Sequence, residues 1–499
     1  MGTEMTFPRL AAIRVAPADT VAVALTDLPA DETLDIAGHA VRARAFIPAG
    51  HKIALAAIAA GAQVVKFGAP IGRATQAIEP GEHVHSHNLA TALKPGEKFS
   101  YTPAEPRQAG TAPAEFLGYR RADKRVGTRN EIWIIPTVGC VARTSERLAR
   151  DASRRFAGAA DRIHALTHPF GCSQLGDDLN DTRRILAALA SHPNAGGALI
   201  VGLGCESNKL NALLDTLPDR TRIRAIAAQD AGDEHAAGMD ALGDLAALMA
   251  NDIRTPCPAS ALSIGLKCGG SDGFSGLSAN PLLGRVADRV TDLGGAALLT
   301  EIPEIFGAEN TLLRRAANRD VFERAVDVID GFKRYFVAHN QPIYENPSPG
   351  NIAGGITTLE EKSLGAVQKS GLAPLTDVLS YGERIRAAGL SLLEAPGNDA
   401  VSSTALTAAG ANVILFTTGR GTPLGFPAPT LKVASNSELA QRKPHWIDFD
   451  AGVLLDGADP DDAAARLFQL VLDTASGQLC KAEQNGEREI AIWKRGVTL

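Results

Sequence analysis

Glu131-Ile-Trp-Ile-Ile-Pro-Thr-Val-Gly139-Cys140 reads as a strand that is apolar on both faces, halts at a glycine and carries a cysteine at its carboxyl end. The pattern returns in Gly197-Ala-Leu-Ile-Val-Gly-Leu-Gly204-Cys205 and in Ser263-Ile-Gly-Leu-Lys-Cys268. Cys172 closes the segment His164-Ala-Leu-Thr-His-Pro-Phe-Gly171 in the same way. The four thiols are separated by 32, 33 and 63 residues, or one, one and two strand–helix–strand repeats. Continuous apolar runs alternating with amphipathic helices specify a mostly parallel sheet. The helices are written in SERLARDASRRFAG (145–158) and NDTRRILAALASH (180–192). Ligands bind at the carboxyl edge of such sheets. A row of thiols there predicts a soft-metal or redox-sensitive site rather than a disulfide framework.

Outward from this core, the chain divides. Residues 18–92 hold short strand-like runs (TVAVAL, VRARAFI, KIALAAI, QVVKFG) separated by Gly/Pro/Asp turns, the pattern of a small all-β module. Residues 93–118 have linker composition, and the α/β pattern runs from 119 to 499 with a break near 251–260. The expected domains are therefore 1–92, 119–255 and 256–499, with 93–118 as linker. A chain of 499 residues is too long for one core. A net charge of −6, with no dominant basic cluster, argues against nucleic acid as a partner. No apolar run is long enough for a membrane span. The start, MGTEMTFPRL, has no basic and apolar leader pattern, and six cysteines in so long a chain read as reduced thiols, so a cytoplasmic protein is expected.

Gly81-Glu-His83-Val-His85-Ser-His87-Asn88 places three histidines at alternate positions; on a strand they share one face and suit a divalent metal. His51, in AGHKIAL, is a weaker candidate. Lys267-Cys268-Gly269-Gly270-Ser271-Asp272-Gly273 lets successive amides converge on an anion, with Asp272 as a cation ligand or helix cap. Gly202-Leu-Gly204-Cys-Glu206-Ser207-Asn208 is a dinucleotide loop that lacks its last glycine, so nicotinamide binding is a poor reading. Glu301-Ile-Pro-Glu304, Asn346–Asn351, Asn398-Asp399 and Arg420 complete a set of polar groups, three of them following plausible strands. Carboxylates and amides there suit a polyhydroxylated ligand, and Arg420 suits its carboxylate. His168 is a candidate base, as are Asp177 and Asp178.

With these motifs in view, the chain resembles the altronate dehydratase family, within a larger group that includes galactarate dehydratase and sulfolactate sulfo-lyase. The resemblance runs nearly end to end, through GEHVHSHN, RADKRVGTRNEIWIIPTVGCV, HPFGCSQLGDD, VGLGCESN, KCGGSDGFSGLSANPLLGR, LTEIPEIFGAE, PIYENPSPGN, APGNDAVSSTAL, FTTGRGTP and HWIDFDAG. The His83–Asn88 segment and the fusion of all parts in one chain favour the altronate branch; GTPLGFPAPT (421–430) departs from that branch's pattern. The resemblance implies an N-terminal β-clip (SAF) domain, a linker and a Rossmann-like catalytic region. It also implies a cytoplasmic hydro-lyase of hexuronate catabolism that turns D-altronate into 2-dehydro-3-deoxy-D-gluconate with Fe(2+) or Mn(2+). On this reading His168, Asp272 and Glu301 serve catalysis. Gly269, Gly270, Ser271, Asn398, Asp399 and Arg420 bind the sugar acid. His85, His87, Cys172, Cys205 and Cys268 hold the metal. Galactarate dehydration and sulfite release from sulfolactate are the near alternatives; a nicotinamide oxidoreductase and a sugar-acid-binding protein are the distant ones. A homo-oligomer is expected on base rates alone.

Overall fold

The fold is described from a computed structural model, which covers residues 10–94, 96, 98–103, 110 and 112–499. The first nine residues, in which a leader was sought and with which the first expected domain begins, lie outside the described residues, as do 95, 97, 104–109 and 111 of the expected linker.

The amino-terminal module is all β. Ala12–Ile13, Val21–Ala24, Lys52–Ala54 and His83–Val84 form an antiparallel sheet in that order. Gln63–Lys66, Ala69–Ala74 and Leu89–Ala90 form a second sheet, and Thr33–Ile36 pairs with His39–Arg42 as a hairpin. Every residue of Val21–Ala24 is buried, so this strand is the module's spine.

The middle region is a four-stranded parallel sheet ordered Ile163–Ala165, Glu131–Pro136, Ala195–Gly202, Ile223–Ala227. Helices Ala142–Arg155, Gly176–Ala190 and Glu234–Met249 accompany it. All six residues of Glu131–Pro136 are buried, as a strand covered on both faces requires.

The carboxyl-terminal region holds a seven-stranded, wholly parallel sheet. Its order is Leu375–Leu379, Gly389–Leu393, Ala296–Leu299, Ser263–Cys268, Val413–Thr418, Thr430–Ala434, Phe449–Asp450. From Ser263–Cys268 the chain first builds one side of the sheet, then returns with Val413–Thr418 to build the other. The crevice outside the carboxyl ends of these two neighbours is a topological switch point, where open α/β sheets bind ligands.

One expectation about the connections needs correction. The stretch 93–118 is not linker throughout: Glu115–Arg120 is a strand paired with Thr255–Pro258 and Val126–Gly127. Thr255–Pro258, within the break expected at 251–260, pairs back to that strand. Buried Arg129 donates to both carboxylate oxygens of Glu483, at 2.8 and 2.7 Å, tying the middle region to the chain's end. Among the described residues no helix is long and apolar enough to cross a membrane.

Candidate active site at the clip and switch point

The β-clip is docked by charge on the carboxyl-terminal region. Lys52 and Lys66 of the clip donate to the two oxygens of Glu361, each at 2.8 Å, and all three side chains are buried. Burial opposes the Glu361 charge, but Lys52 and Lys66 override it and hold the carboxyl down to about 2. Burial likewise draws Lys52 down to about 8 against the pull of Glu361, because two cations share one anion. Nearby, Glu360 accepts from Thr91 and from the Ala92 amide at 2.7 Å. The turn at Gly50 then nests against the opposite loops so closely that a Cβ at Gly273 or Gly355 would collide with its carbonyl.

This docking brings a histidine trio to the interface. His51, His83 and His85 offer nitrogens that all lie within 4.8 Å of one another. The register explains the grouping. Lys52 pairs with Val84 and Ile53 with His83 in antiparallel strands, so one step further His51 stands opposite His85. His51 Nδ1 and His83 Nε2 are 3.0 Å apart, and His85 Nδ1 lies 3.3 Å from Thr357 Oγ1. Burial, reinforced by neighbouring positive charge, lowers His83 to about 3 and His85 to about 4, so both are neutral donors at pH 7. His87 does not join them. The strand stops at Val84, and Asn88 folds the next residues into a turn by accepting from the His85 amide at 2.9 Å and donating to the His83 carbonyl at 3.0 Å. Strand alternation therefore does not reach His87, which is exposed, its ring tilted against that of His83. His51, weighed lightly from sequence, takes its place.

At the switch point the glycine loop and Arg420 meet. The Arg420 and Gly419 amides both donate to the Gly270 carbonyl, at 3.0 and 3.1 Å. The Gly269 amide donates to Thr417 O, Asp272 N to Ser275 Oγ and Gly273 N to Gly354 O. Only Gly270 and Ser271 of the expected amide nest thus remain for an anion. Asp272 needs correcting as a catalytic group. Its carboxylate accepts from Phe274 N, Ser275 Oγ, Ser435 Oγ and Asn436 Nδ2 at 2.8–3.2 Å, so it anchors two loops. Asn398 spends its side-chain oxygen capping the helix Asp399–Ala409.

Below this loop lies a largely buried charge network. Lys267 donates to Glu301 and, at 2.7 Å, to Asp399. Lys369 reaches Glu301 at 3.1 Å, and Lys362 reaches Glu304 at 2.9 Å. Three lysines and three carboxylates balance. Glu301 is wholly buried, in a left-handed backbone conformation (φ 68°) that costs a residue with a Cβ some strain. It is therefore part of the foundation and not the catalytic group expected from sequence. Asp399 is the carboxylate that emerges, with 32% of its side chain exposed. Burial, together with Glu301, pushes the Cys268 thiol up to about 12; it stays protonated, with Lys369 Nζ at 3.2 Å. Cys268, Glu301 and Glu304 have metal-ligand spacing, but the lysines already hold these carboxylates, so Cys268 does not fit the metal shell expected of it.

The remaining candidates sit elsewhere. Cys172 and Cys205 are exposed at the rim of the middle sheet and join no group with His85 or Cys268. They belong to a different sheet, which spacing along a chain does not reveal. His168 is corrected too: Nε2 lies 2.8 Å from Pro136 O, and Nδ1 accepts from Phe170 N at 3.2 Å. Both ring nitrogens are committed to backbone, so this buried ring clasps a loop and moves no substrate proton.

The trio and the switch-point loops flank one short helix, Pro349–Ala353. Arg420 Nη1 donates to Gly350 O at 3.2 Å, Asn351 Nδ2 to Ser271 O at 2.8 Å, and His51 Nε2 lies 3.4 Å from Ala353 O. A five-residue helix is about 7 Å long, so the trio and Arg420 stand toward its two ends. A polar cleft of about 720 Å³ opens beside them, between Thr26 and Asp27 of the clip and Asp272, Arg420 and Asn436.

Family models match three consecutive stretches: the altronate/galactarate dehydratase SAF domain over 10–92, the D-galactarate dehydratase/altronate hydrolase second domain over 118–251, and the D-galactarate/altronate dehydratase C-terminal domain over 259–498. The chain belongs to the altronate/galactarate dehydratase family. It is 48% identical to an altronate dehydratase of Bacillus subtilis (strain 168) over 98% of its length and 99% of the relative's. It is 48% identical to an altronate dehydratase of Escherichia coli (strain K12), with the same coverage. A galactarate dehydratase (L-threo-forming) of Escherichia coli is 32% identical over 87% of this chain and 86% of its own.

Proposed function

We propose that this chain is a hydro-lyase that dehydrates D-altronate to 2-dehydro-3-deoxy-D-gluconate at the cleft between β-clip and switch point. The observation that carries the choice of substrate is the identity gap, 48% over essentially the whole chain to altronate dehydratases against 32% to galactarate dehydratase. The geometry suits the reaction class. The hard step takes the weakly acidic proton from C2, beside a carboxylate, and gathers negative charge on an enediolate. Expulsion of the C3 hydroxyl and ketonisation complete the reaction.

Arg420 pairs with the substrate carboxylate, and the Gly270 and Ser271 amides share the charge that builds there. Asp399 is the acceptor for the C2 proton, held in place by Lys267. A positioned base contributes about 10²- to 10⁴-fold. Asn398 Nδ2 and the clip residues on the cleft hold hydroxyls. The donor set of His51, His83 and His85 fits Fe(2+), a borderline divalent ion that imidazole suits, better than the harder Mn(2+), because the imidazoles are neutral and converge. Bound there, the ion would act as a Lewis acid toward substrate oxygens. A cytoplasmic setting suits such an enzyme and its unpaired thiols.

The test is a panel of aldonates and aldarates, incubated anaerobically with Fe(2+) and scored for 2-keto acid. Altronate is the expected best substrate. Preference for galactarate, or turnover that consumes nicotinamide, overturns the reading.

A further inference from the structure

The function above uses none of the three exposed cysteines. Of six free thiols, Cys257, Cys268 and Cys480 are buried, while Cys140, Cys172 and Cys205 are exposed. These three end the segments that supply neighbouring strands of the middle sheet, ordered Ile163–Ala165, Glu131–Pro136, Ala195–Gly202. They therefore occupy one carboxyl rim.

The rim is built with care. Gly139 N donates to Phe170 O at 2.9 Å, joining the Cys140 and Cys172 loops. Asn208 N donates to Gly171 O at 2.8 Å, joining the Cys205 and Cys172 loops. Thr137 Oγ1 donates to Glu206 Oε1 at 2.7 Å, joining the Cys140 and Cys205 loops. Every pair of loops is thus fastened within three residues of its cysteines. Buried Glu206 also accepts from the Gly204 amide at 2.6 Å, and His168 clasps the Cys172 loop as described. Each cysteine follows a glycine. At Gly171 a Cβ would collide with Thr137 O, and at Gly204 with the Gln229 side chain. Buried polar staples and close-approach glycines fix three loops whose outward-facing groups are sulfur. Three exposed thiols on a surface with no role would be an oxidation liability.

We propose that Cys140, Cys172 and Cys205 hold a [4Fe–4S] cluster, leaving one iron without a protein ligand. A single ion is disfavoured because these sulfurs do not all lie within 4.8 Å of one another, whereas a cluster spreads its thiolates over separate irons. The long helix Ala142–Arg155 begins at this rim with no acid in its first turn, and its amino end favours an anionic thiolate cluster. The site is separate from the His51–His83–His85 trio.

The experiment uses the full chain, reconstituted anaerobically with Fe(2+) and sulfide, then desalted. Iron and acid-labile sulfide are counted, and visible charge-transfer absorption is recorded. About four of each per chain are expected, with the absorption lost in Cys140→Ser, Cys172→Ser and Cys205→Ser and kept in Cys257→Ala. Because the three serine variants change exposed side chains, an unaltered far-UV spectrum separates lost ligation from lost folding; a variant that fails this control is replaced by Cys→Ala at the same position. Metal without sulfide, or a cluster that survives loss of all three thiols, overturns the proposal. A cluster retained in His83→Ala distinguishes this site from the proposed catalytic one, so either can fail alone.

Discussion

Replacing Glu361 by Gln probes how the clip is held against the rest of the enzyme. The substitution keeps size and shape but leaves Lys52 and Lys66 buried, at 0% and 2% exposure, without their counter-charge. Removing one partner of a buried ion pair costs about 3–5 kcal/mol. Burial already draws Lys52 down to about 8 against the pull of Glu361, so losing the carboxylate lowers it further. The loss should be local, so hydrogen exchange is the right assay: amides of Lys52–Ala54 and Leu359–Ala366 should lose protection while the seven-stranded sheet keeps its own. Changing Lys52 and Lys66 to Met in the same chain should restore it. The pH dependence has a fixed sign. Glu361 is lowered from 4.5 to about 2, so its contribution is complete above about pH 4.5 and disappears as pH falls toward 2. Protection in Glu361→Gln within 0.5 kcal/mol of the parent would refute this account of docking.

Other perturbations divide foundation from chemistry. Arg420→Ala should reduce kcat/KM by roughly 10- to 100-fold, mostly through KM, as expected for losing a charged hydrogen bond; an unchanged KM for altronate contradicts carboxylate binding there. His168→Ala should lower stability by about 1–3 kcal/mol, because Pro136 O and Phe170 N lose their partner. Its pH–rate profile should match the parent's, and a lost acidic limb would restore the ring as a base. Gly355→Ala should lower kcat while the clip and both sheets keep their protection, since the new Cβ meets the Gly50 carbonyl at a backbone angle (φ 100°) that disfavours it; full activity would show that the close approach is dispensable.

Much of the architecture was legible because continuous apolar runs such as VILFTT have one stable use, a strand covered on both faces. The switch-point loops were legible for the same reason: once two strands are placed, the Gly269–Asp272 loop and Arg420 must follow them. What stayed hidden depends on register and on which sheet a strand joins. His51 reaches the trio through cross-strand pairing 32 residues away, and His87 leaves it through a local Asn88 turn. Evenly spaced cysteines looked like one row, yet Cys268 belongs to another sheet from Cys172 and Cys205. A signal for the charge network was present and unused: Lys267 interrupts the apolar run SIGLKC, and a lysine inside a buried strand requires carboxylates such as Glu301 and Asp399 beside it.

The most direct measurement of the central claim, that clip histidines and switch-point loops form one catalytic site, is anaerobic turnover of altronate by His83→Ala with Fe(2+) supplied. A fall in kcat of about 10²-fold or more, with unchanged clip protection and weakened Fe(2+) binding, is the predicted result. A variant that turns over altronate at the parent's rate would contradict the claim.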